Sequence, residues 1–165
     1  MYYPNLMNMK KNRVYRNRDI EIFDEWLARI PYRNRHNLNY LQFSLDEDIN
    51  EEIALHLFLD ATNDRINILE IYYNVVSDDR MDSLGLYSYK REIPEEIYYP
   101  EKNEMMKVKD SNIEVKFKLI AFPASTPSDN KGIIMKKRKA VSPTMEGVKK
   151  NNNYSSMMNQ FRWGI

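Results

Sequence analysis

The chain has 165 residues, no cysteine and a formal net charge of +1 at pH 7, and 42% of its residues are hydrophobic. This length suits one domain with terminal extensions, and the lack of thiols excludes disulfides, iron–sulfur clusters and thiolate zinc sites. Only four glycines are present, and none belongs to a glycine-rich phosphate loop.

The small net charge conceals three blocks of unlike sign. Residues 1–18 carry five basic and no acidic groups, residues 19–121 carry 12 basic and 22 acidic groups, and residues 122–165 carry eight basic and two acidic groups. Charge asymmetry of this kind concerns association rather than fold. We therefore predict a basic N-terminal arm at 1–18, a single acidic domain at 19–121, and a basic low-complexity tail at 122–165 with an apolar docking segment at its end.

Cellular location and cofactors are judged from what the sequence lacks. The N-terminal residues form no apolar run of signal-peptide type, and no segment holds the roughly 20 apolar residues that cross a bilayer. We expect a soluble cytoplasmic protein without membrane contact. No motif calls for a cofactor, and we expect none.

The first predicted element is a mobile arm over residues 1–18. It contains Pro4 and a basic cluster that is a candidate contact for phosphates or for an acidic partner. That cluster consists of Lys10, Lys11 and Arg13.

Two amphipathic helices follow the arm. The first begins at an Asp19 cap, runs to Ile30 with apolar residues at helical spacing, and ends at Pro31. The second begins with a capping-box pattern at Ser44 and Glu47, in which the serine side chain bonds the backbone three residues on. The apolar stripe of this second helix consists of Ile49, Ile53, Leu55, Leu57, Phe58 and Leu59.

Residues 66–76, with the sequence INILEIYYNVV, fit either a helix or a strand. Leu69, Tyr72 and Val76 have helical spacing, whereas the β-branched and aromatic content suits a strand. We predict a helix, because the segment leads into a short SLGLY stretch after a charged turn.

Period-two alternation begins after Pro94. Residues 113–119 alternate apolar and charged side chains, which predicts a half-buried strand. Residues 106–108 and the turn residues at 110–112 predict a β-hairpin with that strand, and a third short strand at 96–99 can join it. The predicted fold class is therefore α+β, with a helical N-terminal half, a C-terminal β-hairpin or small antiparallel sheet, and basic flexible tails.

Few side chains are candidates for reaction chemistry. His36 and His56 do not have metal-ligand spacing, and His56 is predicted to be a partly buried or boundary residue of its helix. Glu114 and Lys116 form an E-x-K pattern, which some metal-dependent nuclease cores contain after an upstream aspartate. Their place on the polar face of an alternating strand instead favours a solvent-facing pair. We expect no catalytic residue, no metal site and no enzyme.

The tail holds the main candidates for partner contact. One is a basic cluster suited to phosphates, to an acidic partner or to plain solvation, and it consists of Lys136, Lys137, Arg138 and Lys139. The last ten residues, SMMNQFRWGI, concentrate apolar side chains beyond this basic segment, as docking segments do. Folding back onto the chain's own domain is the alternative. The predicted partner-binding residues are Met157, Met158, Phe161, Trp163 and Ile165.

The order helix, helix, short segment and β-hairpin over residues 44–121 resembles a winged-helix domain. The resemblance depends on INILEIYYNVV, SLGLY, REIPEEIYYPEKNE and NIEVKFKLI, and it is closest to the small winged-helix accessory modules of prokaryotic phage-defence systems. Such modules accompany larger ATPases or nucleases, so the resemblance implies an adaptor or regulatory subunit. Their cysteine–proline zinc knuckle is replaced here by Tyr99-Pro100-Glu101-Lys102, so no metal is implied.

Three functions follow from these observations, in order of preference. The first is a non-enzymatic accessory subunit that binds a larger protein in an intracellular antiviral-defence complex, the partner being an ATPase or nuclease if the resemblance holds. The second is a winged-helix regulator whose basic tails contact nucleic-acid phosphates, against the repulsion of the acidic middle. The third is a carboxylate-dependent nuclease at Glu114 and Lys116.

Overall fold

The computed structural model describes residues 1–11, 14–125 and 140–150. The chain divides into two compact units, the first containing residues 1–70 and 117–141 and the second containing residues 71–116 and 142–165. The helices are α1 Asn17–Arg29, α2 Tyr40–Glu47, α3 Glu51–Ala61 and α4 Met145–Lys150. The strands are β1 Leu69–Val76, β2 Ser83–Tyr87, β3 Glu96–Tyr99, β4 Glu104–Lys107 and β5 Ile113–Leu119. Helices in the N-terminal half precede a small antiparallel sheet, which confirms the α+β prediction.

The strands form two sheets. One has the order β2–β1–β5, and the other consists of β3 and β4. β1 and β2 are antiparallel, with Tyr73 opposite Tyr87. β3 and β4 are also antiparallel, with Tyr98 opposite Met105.

The predicted strand at 113–119 is confirmed, but its predicted hairpin partner is wrong. β4 pairs with β3, because residues 100–103 form a tight turn in which the Asn103 amide donates to the Pro100 carbonyl at 3.2 Å. Asn103 has a φ of 51°, in the left-handed region that asparagine tolerates better than most residues. Residues Asp110–Asn112, the expected hairpin turn, form a 3₁₀ helix instead.

The first unit is built around an aromatic core on α3, which is buried at every position from Ala54 to Ala61. The ring centroid of Phe58 lies 5.1 Å from that of Phe23 on α1 and 5.0 Å from that of Phe117 on β5. The predicted first helix and its buried apolar stripe are confirmed, but the predicted cap at Asp19 is wrong. The helix begins after Arg16, and Asp19 lies in its first turn, where its carboxylate accepts from the Arg16 amide at 2.8 Å.

The predicted second helix is two helices. Asp48 ends α2 with a φ of 54° in the left-handed region, and the Asn50 side chain caps α3 by accepting from the Glu52 amide at 2.8 Å. The predicted capping box is wrong, because Ser44 lies inside α2 and its hydroxyl donates to the Ile49 carbonyl at 2.6 Å. The N-cap of α2 is Asn39, whose side chain accepts from the Leu41 amide at 2.8 Å.

The predicted helix at 66–76 is wrong, since residues Leu69–Val76 form the strand β1. Asn67 has a φ of 49°, which interrupts any helix at this point. β1 lies between β2 and β5 in the sheet, and both of its faces are largely covered. A strand buried on both faces loses the alternation that identifies a half-exposed strand in a sequence.

The expectation of a mobile N-terminal arm is wrong for residues 1–11. Pro4–Lys11 form a 3₁₀ helix, and Tyr3, Leu6 and Met9 are buried. Their spacing of three matches the three residues per turn of that helix, so they share one face. The arm is also fixed at its start, because the amides of Tyr2 and Tyr3 each donate to the buried Asp24 carboxylate at 2.7 Å.

The expectation that nothing after residue 122 is ordered is wrong for residues 140–150. Met145 and Val148 of α4 are fully buried, and the Thr144 hydroxyl accepts from the Gly147 amide at 3.2 Å at the start of the helix. Two buried apolar side chains one turn apart thus hold this basic segment on the second unit.

Candidate functional site: a buried carboxylate cluster

Most of the predicted binding residues lie outside the described part of the chain. This holds for Arg13, for the basic cluster Lys136–Lys139, and for the apolar residues Met157, Met158, Phe161, Trp163 and Ile165. Lys10 and Lys11 are described, and both are exposed at the end of the N-terminal 3₁₀ helix. Their role in partner or phosphate contact stays a prediction.

The structure gathers polar side chains around Glu114 of β5, in the second unit. One carboxylate oxygen of Glu114 accepts from the Asn74 side-chain amide at 3.1 Å and lies 3.4 Å from the Lys116 ammonium. The other oxygen lies 3.4 Å from the Arg80 guanidinium. Glu114 is only 8% exposed, so the predicted solvent-facing position of this residue is wrong.

The neighbours of Glu114 are themselves held in place. Asn74 accepts a hydrogen bond from the Ser83 hydroxyl at 2.5 Å across the β1–β2 pair. Arg80 occupies a turn with a φ of 63°, and its guanidinium also donates to the Ser142 carbonyl at 3.0 Å. A positive φ is uncommon for arginine, and in this conformation the Arg80 guanidinium reaches both Glu114 and the Ser142 carbonyl.

The residues that cover Glu114 come from a distant part of the sequence. Thr144 forms an isolated antiparallel bridge with Glu114, and the Val115 amide donates to the Pro143 carbonyl at 2.9 Å. This return segment lies along the outer edge of β5 and removes it from solvent. Strand alternation predicts which face Glu114 occupies, but it cannot predict that residues about thirty positions later pair with the edge of β5.

The cluster has the chemistry of a structural ion-pair network. One Glu114 oxygen lies next to the Arg80 guanidinium, and the other lies next to the Lys116 ammonium and accepts from the Asn74 amide. These neighbours compensate the buried negative charge. Burial first, and the nearby Glu114 carboxylate second, raise the pKa of Tyr72. Within the residues described, no three histidine, cysteine, aspartate or glutamate side chains are grouped to hold a metal ion.

The histidines lie apart from this cluster. His56 lies on α3, as predicted, and is 6% exposed, so it is more deeply buried than the partly buried or boundary position expected of it. Burial, opposed by the Asp60 carboxylate, lowers the pKa of His56 from 6.5 to about 4, and Asp60 accepts from the Tyr15 hydroxyl at 2.5 Å. His36 is exposed, with its ring centroid 6.3 Å from that of Tyr32.

Sequence reasoning missed an exposed apolar pair on the β3–β4 hairpin. Tyr98 and Met105 lie opposite each other and are 50% and 57% exposed. Glu96 and Lys107 form the next pair on the same face and are also exposed. We call these four residues the hairpin face. That Tyr98 and Met105 share one face becomes visible only when the strands Glu96–Tyr99 and Glu104–Lys107 are known to pair.

The comparisons with known proteins found no relative of this chain. No family model matches, and neither a curated protein nor a solved structure matches it. No helix within residues 1–11, 14–125 and 140–150 is long and apolar enough to cross a membrane. The function has to be argued from the residues themselves.

Proposed function

We propose that the chain is a non-enzymatic accessory subunit that binds a larger protein through its C-terminal apolar segment. The observation that carries this proposal is the attachment of residues 142–149 to the second unit. Met145 and Val148 are buried, Arg80 donates to the Ser142 carbonyl, and Lys149 pairs with Asp110 at 2.5 Å. Met157, the first residue of the predicted docking set, therefore follows the attached residue Lys149 by eight positions.

The composition of that segment supports a docking role. Aromatic side chains and methionine are enriched in the centres of protein interfaces, and Phe161, Trp163 and Ile165 occur within five residues. The basic cluster Lys136–Lys139 would accelerate encounter with an acidic partner, because complementary charge mainly raises association rates. An ATPase or nuclease is the partner class that the sequence resemblance to accessory modules of prokaryotic antiviral defence implies, although residues 66–76, a helix in that resemblance, contain the strand β1.

The described polar groups favour this proposal over the alternatives. A metal-dependent nuclease needs carboxylates free to hold metal, whereas the Glu114 oxygens face Asn74, Arg80 and Lys116. A groove-reading helix needs an accessible polar face, whereas α3 is buried from residue 54 onward and acidic at its start. Neither alternative gains a supporting contact in the residues described.

The test compares two full-length variants in affinity purification from the native host. Replacing Phe161, Trp163 and Ile165 by serine should abolish recovery of a stoichiometric partner identified by mass spectrometry. A matched control replaces Asn151, Asn152 and Asn153 by serine and should leave recovery unchanged. Both variants should melt at the wild-type temperature. Equal recovery by the serine variant, or no stoichiometric partner for the wild-type chain, refutes the proposal.

A further inference from the structure

The hairpin face is regular and exposed. Its pairs run Glu96 opposite Lys107 and Tyr98 opposite Met105, while Tyr99 on the opposite face is 2% exposed. The Tyr98 hydroxyl donates to the Asn103 side chain at 2.6 Å, which holds the ring in place across the turn. A ring that is already ordered loses little conformational entropy when it is covered.

Charge is arranged on this face in a self-complementary way. It has one acidic group, Glu96, and one basic group, Lys107, directly across the two strands from each other. A two-fold axis parallel to the strands, midway between two facing copies, would place β3 of one copy over β4 of the other. Glu96 would then meet Lys107 of the second copy, and Tyr98 would meet Met105.

We propose that the hairpin face binds a second copy of this chain in this isologous arrangement. Two Tyr98–Met105 contacts form the apolar centre, and methionine sulfur next to an aromatic ring is a favourable contact. Two Glu96–Lys107 pairs form the rim, where they fix the register and disfavour partners of uniform charge. This inference concerns the hairpin and does not depend on the C-terminal segment.

The size of the face sets the expected affinity. Four side chains cover much less than the roughly 800 Å² per partner of a standard stable interface. The dimer is therefore weak, with a dissociation constant on the order of 100 µM. It forms at high local concentration, for example when several copies are brought together on one larger assembly.

The test uses charge reversal in the full-length chain. Glu96→Lys gives a face with two positive groups, and Lys107→Glu gives a face with two negative groups. Each variant alone repels itself and should dimerise about tenfold more weakly than the wild-type chain. An equimolar mixture restores both opposite-charge contacts and should associate at least as strongly as the wild-type chain.

Sedimentation equilibrium from about 10 to about 500 µM measures all three samples around the expected dissociation constant. The mixture separates contact between copies from any effect within one hairpin, because each variant has the same internal structure alone and mixed. Met105→Ser, at an exposed position, provides a second variant that should also weaken the dimer. A wild-type chain that stays monomeric throughout, or a mixture that associates no better than its two components, overturns the proposal.

Discussion

Removing the charge of Glu114 tests whether its cluster serves stability. Glu114→Gln keeps a carbonyl that can accept from Asn74, but it leaves Arg80 and Lys116 without their anionic neighbour. Loss of one partner from a buried ion pair costs about 3–5 kcal/mol. Because the Arg80 side chain is 34% exposed and the Lys116 side chain 16% exposed, solvent screens part of this cost. We therefore expect a loss of about 2 kcal/mol in the free energy of unfolding.

The assay is urea unfolding followed by far-UV circular dichroism, with Glu104→Gln at an exposed position of β4 as the control. Hydrogen exchange should rise in residues 140–149 of the Glu114 variant, since Arg80 also donates to the Ser142 carbonyl. If Glu114→Gln unfolds within about 0.5 kcal/mol of the wild-type chain, the range of ordinary surface substitutions, the electrostatic argument is wrong.

Two further predictions concern the first unit. Asp24→Ala removes the acceptor of two backbone hydrogen bonds and should lower the free energy of unfolding by about 3 kcal/mol. Proteolysis of residues 1–11 should increase in this variant and stay unchanged in the exposed control Glu25→Ala. Unchanged proteolysis in Asp24→Ala would contradict the anchoring role of this carboxylate. The pKa of His56 in the folded state is about 4, below its ordinary value of 6.5. As the pH falls from 6.5 to 4, the unfolded chain therefore binds a proton at His56 more readily than the folded chain does. This difference lowers the free energy of unfolding by up to about 3 kcal/mol over that range, and the full contribution is present above pH 6.5. Urea unfolding at pH 7 and pH 4.5 should therefore show a smaller drop for His56→Gln than for the wild-type chain, and equal drops would refute the role of His56.

Local sequence signals predicted the elements in which apolar and polar residues alternate with a clear period. The first helix has an apolar stripe facing a single core, and residues 113–119 alternate cleanly, so both were predicted correctly. The central strand β1 was predicted as a helix because coverage on both faces removes alternation. Its β-branched and aromatic residues were the better guide to the strand.

The candidate site depended on contacts that local patterns do not contain. The E-x-K pattern identified Glu114 and Lys116 as neighbours, and the structure places them 3.4 Å apart. It could not show that the return segment Ser142–Thr144 pairs with β5 beside Glu114, or that Arg80 joins the cluster through a left-handed turn. The period of three in Tyr3, Leu6 and Met9 is present in the sequence, but the basic cluster that follows it favours an arm.

Both ends of the stretch at 126–139 are tied to the first unit. The Ala124 amide donates to the Tyr2 carbonyl at 2.7 Å, and the Ala140 amide donates to the Gln42 side chain at 2.8 Å. The chain between these two attached residues, 125–139, therefore starts and ends at the first unit. Lengthening such a closed span has a small entropic cost, about 0.6 kcal/mol per doubling, which makes it a suitable place to insert a reporter domain without unfolding the rest.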